Sequence, residues 1–259
     1  MRVGSLFAGI GGFDLGLERA GFEIAWQVEI DPYCQRVLAK HWPTVQRYGD
    51  IQAVDWSAVE PVDLLCGGFP CQDISLAGKG AGLSGERSGL WFEYAKAIDA
   101  LKPRYVLIEN VAALRSRGLG QVLGSLTALG YDAEWHCIPA CAVGAPHRRD
   151  RVWIVAYTQK QHEPHPYAGT NGHMEEADTG SQILEFGRRA LPSGFPGWDE
   201  PSPYLSLASM DRVVDGVSPT LDEIKDHIKG QLHGLGNAIV PQIAEMIGRW
   251  IQFREEITQ

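Results

Sequence analysis

A cysteine that follows a proline has the clearest chemical potential in this 259-residue sequence. Cys71 comes directly after Pro70, and an apolar segment that begins at Val62 precedes both, so the thiol stands where a buried strand would enter a loop. Proline restrains its own backbone and that of the preceding residue, which gives the thiol a stiff support. Such a thiol can be a nucleophile if its pKa is lowered or a base assists. An isolated cysteine is usually an inert buried side chain, so the interpretation depends on its companions.

The first companion is a glycine-rich loop near the N-terminus. A strand predicted at residues 3–7 runs into glycines 9, 11 and 12, and an amphipathic helix is predicted at 13–20. Strand, glycine turn and helix form the first half of a nucleotide-binding unit. A second predicted strand, 22–28, ends at Glu29, about 20 residues after the first loop glycine, where an acid accepts hydrogen bonds from ribose hydroxyls. The glycine spacing differs from the dinucleotide G-x-G-x-x-G, and a loop without a ligand remains the alternative.

The remaining companions are charged groups next to apolar strands. Glu109 ends the apolar run 105–108, and the carboxyl ends of sheet strands are where open α/β folds place their chemistry. Arg149 and Arg151 precede the apolar strand predicted at 152–157, and arginine suits bidentate binding of phosphates or carboxylates. A solvated basic turn is the alternative for the arginine pair.

These pieces, in this order, resemble the DNA (cytosine-5)-methyltransferase family. The resemblance covers residues 3–157 and about 230–252, and it rests on five blocks: 5–13, 68–72, 109–111, 149–151 and 236–241. It implies an α/β fold, the Rossmann-like fold of S-adenosylmethionine-dependent methyltransferases, with a mostly parallel sheet and helices on both faces. It also implies a catalytic and cofactor-binding domain at 1–157 and 230–259, and a small, irregular target-recognition region at 158–229.

The resemblance assigns the chemistry to four side chains. Cys71 would add to carbon 6 of a cytosine, since covalent addition makes carbon 5 nucleophilic. Glu109 would act at ring nitrogen 3 as general acid and cytosine reader, and Arg149 and Arg151 would position the reacting groups. The sequence does not identify the base that removes the carbon 5 proton.

S-adenosyl-L-methionine is the implied cofactor, and acidic residues suit its positive sulfonium better than they would suit a pyrophosphate. The residues that the resemblance places around it are Phe7, Ala8, Gly9, Gly11, Gly12, Glu29, Ile30, Asp50, Ile51, Pro70, Leu90, Asn237 and Ala238.

Double-stranded DNA is the implied partner, and its target base must be flipped out of the stack to be reached. The glycine-rich segment 73–89 has the composition of a lid over the flipped base, with an ordinary surface loop as the alternative. The region 158–229 holds 6 Lys and Arg against 12 Asp and Glu, so it should contact few phosphates. Our candidate DNA contacts are Gln72, Ser75, Lys79, Arg87, Arg188, Arg189 and Arg212. Residues 160–185 could instead be an acidic spacer.

The length and composition agree with a soluble enzyme, and the resemblance implies a cytoplasmic one, in a bacterium or a phage-infected host cell. No apolar run approaches a membrane span, and the odd count of five cysteines indicates free thiols. We expect no metal site, a monomer, and a possible cognate restriction endonuclease that cuts the same sequence.

Three other functions remain as alternatives. A transfer RNA cytosine methyltransferase would use the same chemistry, although the Cys-Phe-Thr tripeptide usual in that branch is absent. An inactive regulatory homologue is disfavoured because Cys71 and Glu109 are both present. A NAD-dependent oxidoreductase is disfavoured by the glycine spacing.

Overall fold

A computed structural model describes residues 1–70, 89–158, 234–235 and 238–258. Within these residues seven strands form one sheet in the order β3-β2-β1-β4-β5-β7-β6. The strands are β1 (Arg2–Leu6), β2 (Glu23–Val28), β3 (Gln46–Tyr48), β4 (Leu64–Gly67), β5 (Tyr105–Val111), β6 (Tyr131–Ile138) and β7 (Arg151–Thr158). The helices are α1 (Gly12–Arg19), α2 (Pro32–His41), α3 (Gly89–Leu101), α4 (Leu114–Arg117), α5 (Leu119–Ala128) and α6 (Pro241–Thr258).

The sheet is parallel from β3 to β5, and β7 runs antiparallel to both of its neighbours. The predicted mostly parallel sheet is therefore confirmed. Strand β1 pairs with β2 on one side and with β4 on the other, so the strand order reverses direction there. In open α/β sheets ligands bind beside the carboxyl ends of the strands at such a switch point. The glycine loop follows β1 and the segment leading to Cys71 follows β4, so both start at this point.

The central strands form because their apolar runs are buried on both faces. Leu64 and Leu65 in β4 and Leu107 and Ile108 in β5 are completely buried, as expected for parallel strands covered by helices. One core lies between the sheet and helices α3 and α5, and the other lies between the sheet and helices α1 and α6. The prediction of helices on both faces is thus confirmed.

Helix α6 packs closely on α1 because glycines stand where the two helices meet. A Cβ atom at Gly16 would collide with the carbonyl oxygen of Pro241, and one at Gly248 would lie 2.9 Å from the Cβ atom of Ala20. Gly12 makes the same close approach to the segment before α6, where its Cβ would lie 2.7 Å from the Ile239 carbonyl oxygen. The amphipathic helix predicted at 242–253 is present and longer, and it holds residues 238–240 against the glycine loop.

No helix in the described part of the chain combines the length and apolar character needed to cross a bilayer. The predicted target-recognition region 158–229 lies outside the described residues except for Thr158, which ends β7.

Candidate active site

The site is built at the carboxyl edge of β1, β4 and β5. These strands are parallel and in register, with Leu6 opposite Gly67 and Gly67 opposite Ile108. The residues that follow each strand therefore meet at one edge. Gly68 is so close to Glu109 that a Cβ atom on Gly68 would lie 3.1 Å from Glu109 Oε2. The segment that leads to Cys71 thus passes directly over the predicted general acid.

Glu109 is a buried carboxyl held by one arginine. It is 8% exposed, and Arg151 Nε lies 2.9 Å from its Oε1. Burial raises the pKa of Glu109 to about 7, although the charges of Arg151 and Arg149 both act to lower it. Removal from water therefore outweighs the two nearby cations. A carboxyl with a pKa near neutrality can hold a proton and release it, which is what a general acid requires.

Arg149 and Arg151, which the sequence analysis treats as a pair, do different things. Arg151 pairs with Glu109, whereas Arg149 donates a hydrogen bond from Nη2 to the carbonyl oxygen of Ala238, 2.9 Å away. Arg149 also has a φ of 39°, a left-handed backbone that side chains other than glycine rarely adopt. It fastens the residues before α6 to the site and acts on Glu109 through its charge.

Asn110 is a site residue that the sequence analysis did not single out. It is 3% exposed, and its Nδ2 donates to the carbonyl oxygen of Phe69, 2.9 Å away, while its Oδ1 accepts from the backbone N–H of Val111 at 2.9 Å. The bond to Phe69 joins the end of β5 to the segment that presents Cys71. Its position directly after Glu109 is the signal that could have identified it.

Several predicted residues lie outside the described part of the chain. Pro70 is the last described residue before position 71, so the structure places Glu109 and its arginine but not the nucleophile. The predicted residues outside the described ranges are Cys71, Gln72, Ser75, Lys79, Arg87, Arg188, Arg189, Arg212 and Asn237.

The glycine loop is tied to β2 by the predicted ribose acid. Glu29 accepts the backbone N–H of Gly9 on Oε2 and that of Asp31 on Oε1, each at 2.7 Å. Gly9 and Gly11 have φ values of 57° and 88°, which favour glycine at both positions. Because a carboxylate can accept about four hydrogen bonds, Glu29 keeps capacity for the hydroxyls of a bound nucleoside.

The other described cofactor candidates lie at the carboxyl ends of β1, β2 and β3. Phe7 stacks on Tyr94, with ring centroids 6.4 Å apart, and Ile30 is 66% exposed directly after Glu29. Asp50 caps a 3-10 turn by accepting from the N–H of Gln52. The same edge also carries the buried side chains of Ala8 and Ile51 and the partly buried side chain of Leu90.

The exposed apolar side chain of Ile30 lies at the same edge as the carboxylates of Glu29 and Asp50. This combination fits the adenine and ribose of a nucleoside that carries a positive charge. The predicted cofactor residues include no basic side chain, which suits a cation and disfavours a pyrophosphate. Among the described residues, no group of three or more His, Cys, Asp and Glu side chains is arranged to hold a metal ion.

The sequence profile of the C-5 cytosine-specific DNA methylase family matches residues 1–192. The chain belongs to this family. The matched range contains the glycine loop, Glu109 and the arginine pair.

Individual relatives agree with the family assignment. The chain is 38% identical to the type II methyltransferase M2.BsuMI of Bacillus subtilis over 60% of its own length and 42% of the relative's. It is 34% identical to the type II methyltransferase M.HhaI of Haemophilus parahaemolyticus, over 61% of this chain and 49% of that one. The chain therefore matches less than half the length of each of these two curated relatives.

The fold is also that of solved methyltransferase structures. The Entamoeba histolytica methyltransferase EhMeth superposes with a TM-score of 0.60 over 100% of this chain and 99% of that chain, at 14% identity. The Spodoptera frugiperda DNMT2 mutant gives 0.55 over 99% and 98%, at 16% identity. At such identities the likeness shows a shared fold, the Rossmann-like methyltransferase fold that the sequence predicts.

Proposed function

We propose that this chain is a DNA (cytosine-5)-methyltransferase that moves a methyl group from S-adenosyl-L-methionine to carbon 5 of a cytosine in double-stranded DNA. The observation that carries the proposal is the buried Glu109–Arg151 pair directly beneath the segment that leads to Cys71. A carboxyl with a pKa near 7 at this place, in a member of the C-5 cytosine-specific methylase family, fits a general acid for a pyrimidine ring.

In the proposed mechanism Cys71 forms a bond from its sulfur to carbon 6 of the cytosine. Negative charge moves toward ring nitrogen 3, where Glu109 supplies a proton, and Arg151 holds the carboxyl in place. Carbon 5, which addition has made nucleophilic, takes the methyl group. A base then removes the carbon 5 proton, the thiolate of Cys71 leaves, nitrogen 3 returns its proton to Glu109, and the aromatic ring is restored. S-Adenosyl-L-methionine, when bound, supplies the electrophilic methyl group.

The donor would be held at the ends of β1, β2 and β3. Glu29 accepts hydrogen bonds from the ribose, Ile30 and Phe7 offer apolar surface to the adenine, and Asp50 offers a further acceptor. The glycine loop lets the backbone approach the ligand. The segment 238–240, which Arg149 fastens to the site, would close one side of the pocket.

The cytosine would reach Glu109 by flipping out of the duplex, because carbon 5 and carbon 6 are inaccessible within the base stack. We propose that residues 158–229 read the target sequence, and that the segment after Cys71 covers the flipped base. The chain would act on DNA in the cytoplasm as a monomer, with a restriction endonuclease of the same specificity as its possible partner.

The test is methyl transfer by the full chain from isotope-labelled S-adenosyl-L-methionine to duplex DNA, with transfer RNA as the competing substrate. Bisulfite sequencing of the DNA would locate the methylated cytosines. We expect transfer to DNA. Transfer to RNA alone, or methylation at an exocyclic amine, would contradict the proposal.

Cys71→Ser tests the nucleophile within the same assay. A hydroxyl is hardly ionised near neutral pH, so we expect transfer to fall by several orders of magnitude while donor binding persists. Cys141→Ser is the matched control, since Cys141 is an exposed cysteine in the described part of the chain. Turnover of Cys71→Ser within about tenfold of the parent would remove Cys71 from the mechanism.

A further inference from the structure

A completely buried carboxyl lies beneath the glycine loop and takes no part in the proposed mechanism. Asp14, in the first turn of α1, accepts a hydrogen bond from Ser5 Oγ at 3.1 Å and another from Gln27 Nε2 at 2.8 Å. Ser5 lies in β1 just before the loop, and Gln27 lies in β2 just before Glu29. The carboxyl therefore joins α1 to β1 and β2, two of the strands whose carboxyl ends would hold the proposed donor.

Ionisation of Asp14 costs free energy because its carboxyl is completely buried. Within the described residues no basic side chain forms an ion pair with it, and burial raises its pKa to about 6 in spite of its two donors. The groups that face it are the neutral Ser5 and Gln27, the Cys66 thiol on β4, and Glu18 on its own helix, which is exposed. Burial raises the pKa of Cys66 well above its usual value, so within this cluster Asp14 is the group that changes charge near neutral pH.

The electric field at the N-terminus of α1 is what the buried charge of Asp14 would counteract. A helix N-terminus behind a glycine loop carries a partial positive charge and favours anions, which suits a pyrophosphate. The methyl donor proposed for this loop carries a positive sulfonium, which the same field repels. The helix has Gly11 as its N-cap with no side-chain cap, and Asp14 is the acidic residue of its first turn. An ionised Asp14 carries a full negative charge against the roughly half unit of positive charge at the helix end, so its field outweighs that of the helix where the two act from similar distances.

We infer that Asp14 is the buried counter-charge of the donor loop: when ionised, it favours the cationic methyl donor over its neutral thioether product. The inference rests on the proposed function, since it concerns the ligand of the same site. Loss of the methyl group removes the positive charge from sulfur, so the product no longer gains from Asp14. A positioning residue of this kind promotes exchange of product for fresh donor without contacting either of them.

The test is direct binding by calorimetry, with S-adenosylmethionine and S-adenosylhomocysteine as the two probes and without DNA. Asp14→Asn removes the charge and preserves the shape. The variant can keep both hydrogen bonds, because an asparagine Oδ1 can accept from Gln27 Nε2 while its Nδ2 donates to the hydroxyl of Ser5, which can accept as well as donate. Glu18→Gln is the matched control, since it removes the same charge from the exposed side of the same helix.

We expect Asp14→Asn to weaken the sulfonium probe by roughly tenfold, the effect of a unit charge over ~10 Å in a protein interior, and the thioether probe by less than about twofold. In the parent, sulfonium affinity should fall as the pH drops from one unit above to one unit below the Asp14 pKa, because the carboxyl then takes up a proton. In Asp14→Asn this fall should shrink to the part that Glu109, with its pKa of about 7, contributes, and in Glu18→Gln it should match the parent.

Thermal unfolding separates this role from a purely structural one. Asp14→Asn should match or exceed the parent in Tm above neutral pH, because the variant no longer buries a charge. Equal weakening of both probes, together with a lower Tm, would overturn the inference and leave Asp14 as a structural residue. If the parent bound neither probe, the proposed function would fail and the inference with it, whereas normal binding of both by Asp14→Asn would overturn the inference alone.

Discussion

At the scale of single residues, the balance between burial and charge at Glu109 decides what the site can do. Arg151 alone would hold the carboxyl ionised, and burial alone would keep it protonated far above neutrality. Together they leave a pKa of about 7. The carboxyl can therefore release a proton to a nitrogen of the substrate and take one up again, both near neutral pH.

The first prediction concerns the proton on Glu109. The kcat/KM for DNA should decline as the pH rises through about 7, because this parameter reports the free enzyme, in which the proposed acid is then ionised. Glu109→Gln should lower the rate by roughly 10²–10⁴-fold and remove this limb of the profile. Initial rates measured across the pH range give both the fold loss in Glu109→Gln and the shape of the pH profile. A variant that lost DNA binding but kept its rate on saturating DNA would make Glu109 a recognition residue only.

The second prediction concerns Asn110. Asn110→Leu would leave the Phe69 carbonyl oxygen without its donor and release the segment before Cys71 from β5. We expect kcat to fall by about 10–100-fold, since small displacements of a nucleophile are costly, while the Kd of the methyl donor stays within about twofold. If donor affinity and kcat fell together, the bond would be supporting the sheet in general and not the nucleophile.

Glu109 and Arg151 were accessible to sequence reasoning because Glu109 directly follows one apolar run and Arg151 directly precedes another. Asn110 was not accessible in the same way, because its role is a bond to a carbonyl 41 residues earlier, and such a contact leaves no periodic pattern. The different tasks of Arg149 and Arg151 also depend on which group each reaches across the fold.

At the scale of elements, the close packing of α6 on α1 determines which residues border the carboxyl edge of the sheet. The apolar runs of β1, β4 and β5 could be predicted because buried strands leave a continuous signal. Strand β6 could not, since most of its residues are only partly buried and no alternation marks them. The antiparallel direction of β7 likewise depends on its two neighbours and not on its own residues.

The third prediction tests the contact between α1 and α6. Gly16→Ala would push a methyl group into the Pro241 carbonyl oxygen, so the free energy of unfolding should fall by about 1–3 kcal/mol. Gly124→Ala on α5 is the control, because its Cβ would meet nothing within 4 Å. That change should stabilise the helix by up to about 1 kcal/mol. Urea unfolding of both variants measures the free energy of unfolding. Equal changes would show that α1 and α6 can move apart enough to accept the methyl group.

At the scale of the whole molecule, an acidic chain presents basic residues at one edge. The net charge is −9, yet Arg115, Arg117 and Arg148 are all exposed in the segments beyond β5 and before β7. Contact between Arg115 and Cys137 brings the first of these segments to the end of β6, and Ala140 bonds to the backbone of Arg148. The cations therefore lie at the carboxyl edge of the sheet, the edge at which Glu109 also lies.

The fourth prediction follows from this charge distribution. Arg117→Gln should weaken DNA binding about equally for all sequences and reduce the slope of log K against log salt by about 0.9, the value for one phosphate contact. Lys102→Gln should change neither, because Lys102 precedes β5 and lies at the opposite edge of the sheet. Fluorescence anisotropy over a salt series measures both. An unchanged slope in Arg117→Gln would place the phosphates elsewhere.

The contact between α1 and α6 can form only late in the synthesis of the chain. Gly16 and Pro241 touch in the folded protein, but they leave the ribosome far apart in time. At about 5–20 residues per second, roughly 10–45 s separate them. During that interval the first strands and the glycine loop are already made, while the wall formed by residues 238–240 does not yet exist. A nascent chain therefore cannot complete the proposed donor pocket, and the proposed methyl donor could stabilise the protein only after translation has passed α6.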